Sequence, residues 1–398
     1  MGGGESLSPR AVDARAGASR TDASTGNESG EDMRMLDNVL QHLQALVSYD
    51  TRNPPRAIGT GGIFDYIRTQ LPGFQVEVSD HGAGAVSLLA VRGTPRRLFN
   101  VHLDTVPDSP AWTADPLKLR VTDDRAIGLG ACDIKGAAAG LLAAANATQG
   151  DAAFLFSSDE EANDPRCIAA FLQRNALARE HGFGEVIVSE PTNCEAVLAH
   201  RGIASVHLKF TGQAGHASGV NALSASALHQ AIRWGADALS LVEAEAHQRF
   251  GGLTGLRFNI GRVEGGIKAN VIAPSAEVRF GFRPLPSQDL DAMHARFRAL
   301  VPDSAEYLDI FRGPSLPAGD VAQAEERRLA ARDLADALGL PVGNAVDFWT
   351  EASLFSQAGL TALVFGPGDI AQAHTADEWV SLHQLSEAAS HYHRLMEA

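Results

Sequence analysis

The sequence predicts an α/β protein with an inserted β-α-β-β-α-β domain, and three observations carry that prediction. Four short apolar runs, at residues 98–103, 153–157, 186–188 and 363–365, read as buried strands of one sheet. Helical patterns lie among them, including 36–47 and a run of small residues at 136–146 that can pack closely on a sheet. Between residues 202 and 312 the pattern changes to strand 204–210, long helix 224–247, strands 256–263 and 271–282, helix 289–300 and strand 306–311. That order is the split-βαβ module. After Pro314, a helix at 322–338 and a strand at 362–365 return to the first unit. The expected division is therefore 35–202 with 312–398 as one domain and 203–311 as the other. A chain of 398 residues is too long for one ordinary core, which agrees with two domains.

The first elements need separate treatment. Residues 1 to about 32 are rich in Gly, Ser, Ala, Asp and Arg and almost lack large apolar side chains. Such a segment cannot bury enough surface to fold, so 1–34 is expected to be a disordered tail or extra residues from an early start. It has no apolar stretch for a secretory signal, and its acidic residues count against a transit peptide. A formal charge of -15 argues against nucleic acid as the main partner, because a phosphate-binding surface needs a basic patch. No apolar run is long enough to span a membrane. Cys132, Cys167 and Cys194 are odd in number and far apart, which fits a reducing cytoplasm and simple packing rather than a disulfide framework.

The chemistry gathers just past the carboxyl ends of the strands, where ligands collect in such sheets. The first run leads into His102-Leu103-Asp104, and the second into Asp159-Glu160-Glu161. The third leads into Glu190-Pro191, and the fourth into Gly366-Pro367-Gly368 and His374. Asp133 opens the small-residue helix from the loop 130–136. His102, Asp133, Glu161, Glu190 and His374 are thus candidate ligands for zinc or a neighbouring transition metal, with Asp133 placed to bridge two ions. Residues i and i+2 of an extended segment share a face, so Asp104 can accept the second ring N–H of His102. Two adjacent carboxylates with one role would repel each other. With Glu161 on the metal, Glu160 is free to take a proton from water as general base. Each element alone is weak: a lone histidine is more often structural, and a Glu-Glu pair is usually solvated. Their common placement after strands raises the reading.

These ordered motifs resemble the M20 clan of dinuclear metallohydrolases. The matching residues are His102-x-Asp104, Gly130-x-x-Asp133-x-Lys135-Gly136, Asp159-Glu160-Glu161, Glu190-Pro191, Gly215-His216-Ala217-Ser218 and His374, spread over residues 36–398. The resemblance implies a metallopeptidase-type catalytic domain with a mixed central sheet flanked by helices, and a lid and dimerisation domain at 203–311. It implies a divalent ion, Zn2+ or Co2+, one or two per subunit, held by His102, bridging Asp133, Glu161, Glu190 and His374. Glu160 would be the base, and His216 would reach the substrate carbonyl oxygen from the partner subunit of a homodimer. Taken alone, His216 is an exposed loop histidine. Asn270 and Arg283 are candidates for the substrate's α-carboxylate, against a turn cap and a strand-end surface charge respectively. The stretches 51–55, 344–351 and 366–374 draw the resemblance towards deacetylases of N-acetylated arginine precursors. They imply N-acetyl-L-citrulline as substrate, with N-acetyl-L-ornithine or a dipeptide as the alternatives.

Overall fold

The computed structural model describes residues 25–178 and 182–397. Residues 1–24, most of the expected tail, lie outside them. The helix Thr25–Val47 begins inside the segment for which no structure was expected. Its later turns bury Val39, Leu43, Leu46 and Val47, so the part read as helix from Leu36 onward is the part that reaches the core.

The expected α/β architecture is present as a six-stranded mixed sheet. Its order is Gln75–Asp80, Val86–Arg92, Ala152–Ser157, Arg97–His102, Glu185–Val188 and Thr361–Val364. The last four are mutually parallel and the first two join antiparallel. Strand residues alternate between two cores. Phe99, Val101, Phe154, Phe156, Ile187 and Leu363 face the helices Thr25–Val47, Lys135–Ala147 and Leu382–Glu397. Leu98, Leu155, Val186, Val188 and Val364 face the opposite way, onto Ile168, Phe171 and Phe355. Burial on both faces explains why these strands read as continuous apolar runs. The small-residue helix lies close to its neighbour: a Cβ on Gly140 would sit 3.5 Å from the Tyr392 ring.

The second unit is a four-stranded antiparallel sheet in the order Arg257–Gly265, Ser275–Arg283, Ile203–Thr211, Ala305–Gly313. The helices Ala227–Ala244 and Leu290–Ala299 belong to it. Trp234 stacks obliquely on Phe280 at 4.7 Å, and both are buried with Phe282 and Phe297. The long helix starts later than its apolar pattern suggested. A single turn, Ala222–Ala225, comes first, and Ser226 then caps the helix by accepting the His229 amide at 3.4 Å. The strand read as 271–282 begins at Ser275, because Val271 and Ile272 instead bond the loop around His216.

His200 and Arg201 sit where the two units join, and both are fully buried. His200 Nδ1–H donates to the Arg201 carbonyl at 2.8 Å, and Nε2 accepts from the Thr350 hydroxyl at 3.0 Å. Only a neutral ring makes both bonds, and burial pushes the His200 pKa down to about 4. A folded-state pKa below the unfolded value makes this stabilisation complete above pH 6.5 and lost as pH falls through 4. The stability lost on acidification through that range is roughly 3 kcal/mol, because burial penalises the protonated ring and each tenfold loss of proton affinity is equivalent to about 1.4 kcal/mol. His200→Gln should therefore melt below the wild type at pH 7, with the gap narrowing towards pH 4. A gap that stays constant across that range would count against it.

Candidate metal centre

Three of the five ligand candidates sit where a strand stops, and the other two on loops beside them. His102 ends Arg97–His102, Glu190 follows Glu185–Val188, and Glu160 and Glu161 follow Ala152–Ser157. Asp133 is on the loop before the helix Lys135–Ala147, joined to Ile134 by a cis peptide. His374 follows the short turn Ile370–Gln372, which Asp369 caps, and has φ 58.

These side chains converge in two groups that share one residue. His102, Asp133 and Glu190 form the first, and Asp133, Glu161 and His374 the second. Within each group the ligand atoms lie within 4.8 Å of one another. His102 Nε2 is 3.1 Å from Asp133 Oδ1 and 3.6 Å from Glu190 Oε1. His374 Nε2 is 3.3 Å from Asp133 Oδ2 and 3.0 Å from Glu161 Oε1. The two oxygens of Asp133 therefore face opposite groups, which is the geometry a bridging carboxylate needs.

The electrostatics call for a cation. Burial and surrounding carboxylates push Glu190 up to about 8 despite the pull of His102. Burial raises Glu161 as well, against its bond to His374. Bonds to Asp133 and Glu161 push His374 up to about 11. Burial alone would lower His102, but bonds to Asp104 and Asp133, with Glu190 and Glu160 nearby, raise it well above its usual value. Asp133 is held below the carboxylate range: burial opposes this, and His102 and His374 outweigh it. A nitrogen and oxygen donor set with surplus negative charge, one carboxylate turned to both groups, fits one or two divalent ions.

A cavity of about 380 Å³ opens beside the two groups. Glu160 lines it, as do Phe348 and Trp349, and the second unit contributes Ile203, Ser205 and Arg283. His216 and Asn270 are not in this cavity. They sit on two neighbouring exposed loops of the second unit, joined where the Ala217 amide donates to the Asn270 carbonyl at 3.1 Å. His216 Nδ1 there lies 2.7 Å from Ser218 Oγ.

Several contacts were not read from the sequence. His102 Nδ1–H points to the Asp104 backbone carbonyl at 2.9 Å, closer than the Asp104 carboxylate at 3.4 Å. That carboxylate instead accepts the Asn53 amide at 2.8 Å and the Glu161 backbone N–H at 3.0 Å, tying two loops together. Asn53 belongs to the stretch 51–55, but nothing in its spacing assigned it this contact. Arg201 donates to Asp347 at 2.5 Å, and Arg257 Nε approaches the same carboxylate at 3.4 Å. Glu351 is buried, accepts from Ser157 at 3.2 Å, and is pushed up to about 8 by burial and nearby Asp159.

Comparison with known proteins places the chain in a family. The family model for peptidase family M20/M25/M40 matches residues 98–398. An N-acetyl-L-citrulline deacetylase of Xanthomonas campestris pv. campestris is 70% identical over 364 residues, covering 91% of this chain and 98% of that protein. An acetylornithine deacetylase of Edwardsiella ictaluri is 30% identical over 300 residues, covering 70% of this chain and 74% of its own. Among solved structures, aminopeptidase PepT of Bacillus cereus superposes with a TM-score of 0.68 at 18% identity, covering 91% of this chain and 98% of that one. The Bacillus subtilis YXEP protein, described as a dinuclear metal binding peptidase, gives 0.61 at 15% identity, with 92% and 98% covered. At these identities the structural likeness concerns the fold, and it is the same fold. The mixed sheet and the sequence matches meet in one assignment: the chain belongs to peptidase family M20/M25/M40, a family of hydrolases.

Proposed function

We propose that the protein hydrolyses N-acetyl-L-citrulline to L-citrulline and acetate, as a step of arginine biosynthesis in the cytoplasm. The observation that carries a metal-dependent hydrolysis is Asp133, turned to two ligand groups beside the unligated carboxylate Glu160. The choice of substrate rests on likeness to the Xanthomonas enzyme. Ions at His102, Asp133, Glu161, Glu190 and His374, Zn2+ or Co2+, would polarise the acetyl carbonyl and acidify water. Glu160 removes a proton from the attacking water and later delivers it to the leaving amine nitrogen. Arg283, already at the cavity, pairs with the substrate α-carboxylate, and Asn270 assists. His216 donates to the oxyanion from a second subunit. Asp104 supports His102 from behind.

The homodimer is supported by what the second unit leaves uncovered. The strand Arg257–Gly265 is an outer strand of its sheet, and Val263 is 52% exposed. Leu223, Ile232, Leu239 and Ile267 of the same unit are also exposed, on its helices and connecting loops. Ile232 and Ile267 line one surface pocket, and exposed apolar side chains that gather in this way mark interaction surfaces.

The end group of the substrate is testable. An ammonium, as in N-acetyl-L-ornithine, wants a free carboxylate. Each carboxylate lining the cavity is a ligand candidate or Glu160. Asp347 is taken by Arg201 and Arg257, and Glu351 is turned to Ser157. A neutral urea meets no such demand. With Zn2+ or Co2+ supplied, kcat/KM for N-acetyl-L-citrulline should exceed that for N-acetyl-L-ornithine and for dipeptides. A hydrogen-bonding site can reject a competitor by about 10⁴. Equal or better turnover of N-acetyl-L-ornithine would overturn the substrate while leaving a deacetylase. Dipeptide cleavage alone would overturn both.

A further inference from the structure

Glu378 is not a ligand candidate, yet it holds the loop that carries one. Its side chain is buried, and its carboxylate accepts three backbone N–H groups from residues 130–133. Oε2 takes the Gly130 amide at 3.0 Å, and Oε1 takes those of Cys132 and Asp133 at 2.9 Å each. The segment is anchored from both sides. The Glu378 carbonyl accepts the Gly128 amide at 3.0 Å, and the next residues, Trp379–Ser381, pair with Arg125–Ile127. Four positions before Glu378 stands His374.

A carboxylate ringed by successive backbone N–H groups fixes the loop's dihedrals, as an anion does in a nest. We propose that Glu378 is a positioning residue for the ion taken by Asp133, Glu161 and His374, a claim that rests on the metal-dependent reading above. That group draws two of its three ligands from the segments Glu378 ties together. The other group shares Asp133 but draws His102 and Glu190 from strand ends that do not depend on this clamp. Glutamine at 378 has the same size, but its amide offers donors where the loop offers donors too. At least one buried N–H then goes unpaired, and the loop relaxes.

The test is titration of metal-free protein with Co2+, followed by calorimetry and by the visible absorption of the bound ion. The wild type is expected to bind two ions. Glu378→Gln should bind the ion at Asp133, Glu161 and His374 about 10–100-fold more weakly, the usual cost of losing an outer partner of a ligand, and the ion at His102, Asp133 and Glu190 by a smaller factor, since only its shared ligand is loosened. Glu378→Asp keeps the charge on a shorter arm and should fall between, so a misfolded glutamine variant does not end the test. Asp377→Asn is the control. Asp377 ties the same segment to Arg120 at 2.7 Å and Thr113 at 3.0 Å without touching the loop, and its loss should leave both affinities unchanged. Unchanged Co2+ binding in both Glu378 variants would overturn the proposal. Equal weakening of both ions, or equal weakening by Asp377→Asn, would do the same by reducing Glu378 to general stability. A wild type that binds no Co2+ would instead remove the metal reading itself.

Discussion

Glu160→Gln protein should lose turnover by about 10²–10⁴ and keep its metal, the loss typical of removing a general base. The residue lines the cavity beside both ligand groups but belongs to neither. Burial first, then the carboxylates of Glu161, Glu190 and Glu351, push its pKa well above the usual value against the pull of His102. A raised carboxyl is a better base near neutrality than an exposed one. Elemental analysis separates the roles: His102→Ala should lose metal and activity together. Loss of metal from Glu160→Gln would make it a ligand, and retained turnover would remove it from the reaction.

The second large effect is expected at His216. Its place outside the cavity leaves two readings: it is a bystander, or it serves a neighbouring subunit. In the second, His216→Ala should lose about 10²–10³ in kcat, as for an oxyanion donor, with a much smaller change in KM. Mixing inactive Glu160→Gln with inactive His216→Ala protein then becomes decisive. Each mixed dimer would carry one intact site, with Glu160 from one chain and His216 from the other. After random exchange, about a quarter of all sites should be intact, since half the dimers are mixed. No recovery after verified exchange would sink the shared site.

The sheet and the cluster of candidate ligands were legible in the sequence because each is written locally. A buried parallel strand is a short apolar run, and a strand-end acid or histidine follows it directly. The supporting contacts were not legible because they join segments far apart. Glu378 meets Asp133 across 245 positions, and Asn53 meets Asp104 across 51. No periodicity records such meetings. The Nδ1 contact of His102 with Asp104 was legible only in part, for a different reason. Residues i and i+2 do share a face, but the Asp104 carbonyl is nearer than its side chain, and the side chain was drawn to Asn53 and the Glu161 amide. The early start of the first helix escaped for want of apolar residues, since composition speaks of burial and not of backbone hydrogen bonds.

Asp133 has a consequence for the life of the molecule outside the reaction. The five ligand candidates come from five separate stretches of chain, and only folding assembles them. An ion bound there selects the folded form by mass action, worth about 2.7 kcal/mol when free ion stands one hundredfold above its dissociation constant. Scarcity of the ion then does more than idle the enzyme. The emptied, mutually repelling acids open more often, and proteases act on opened chains. If ions bind there, the abundance of the protein should fall as metal supply falls.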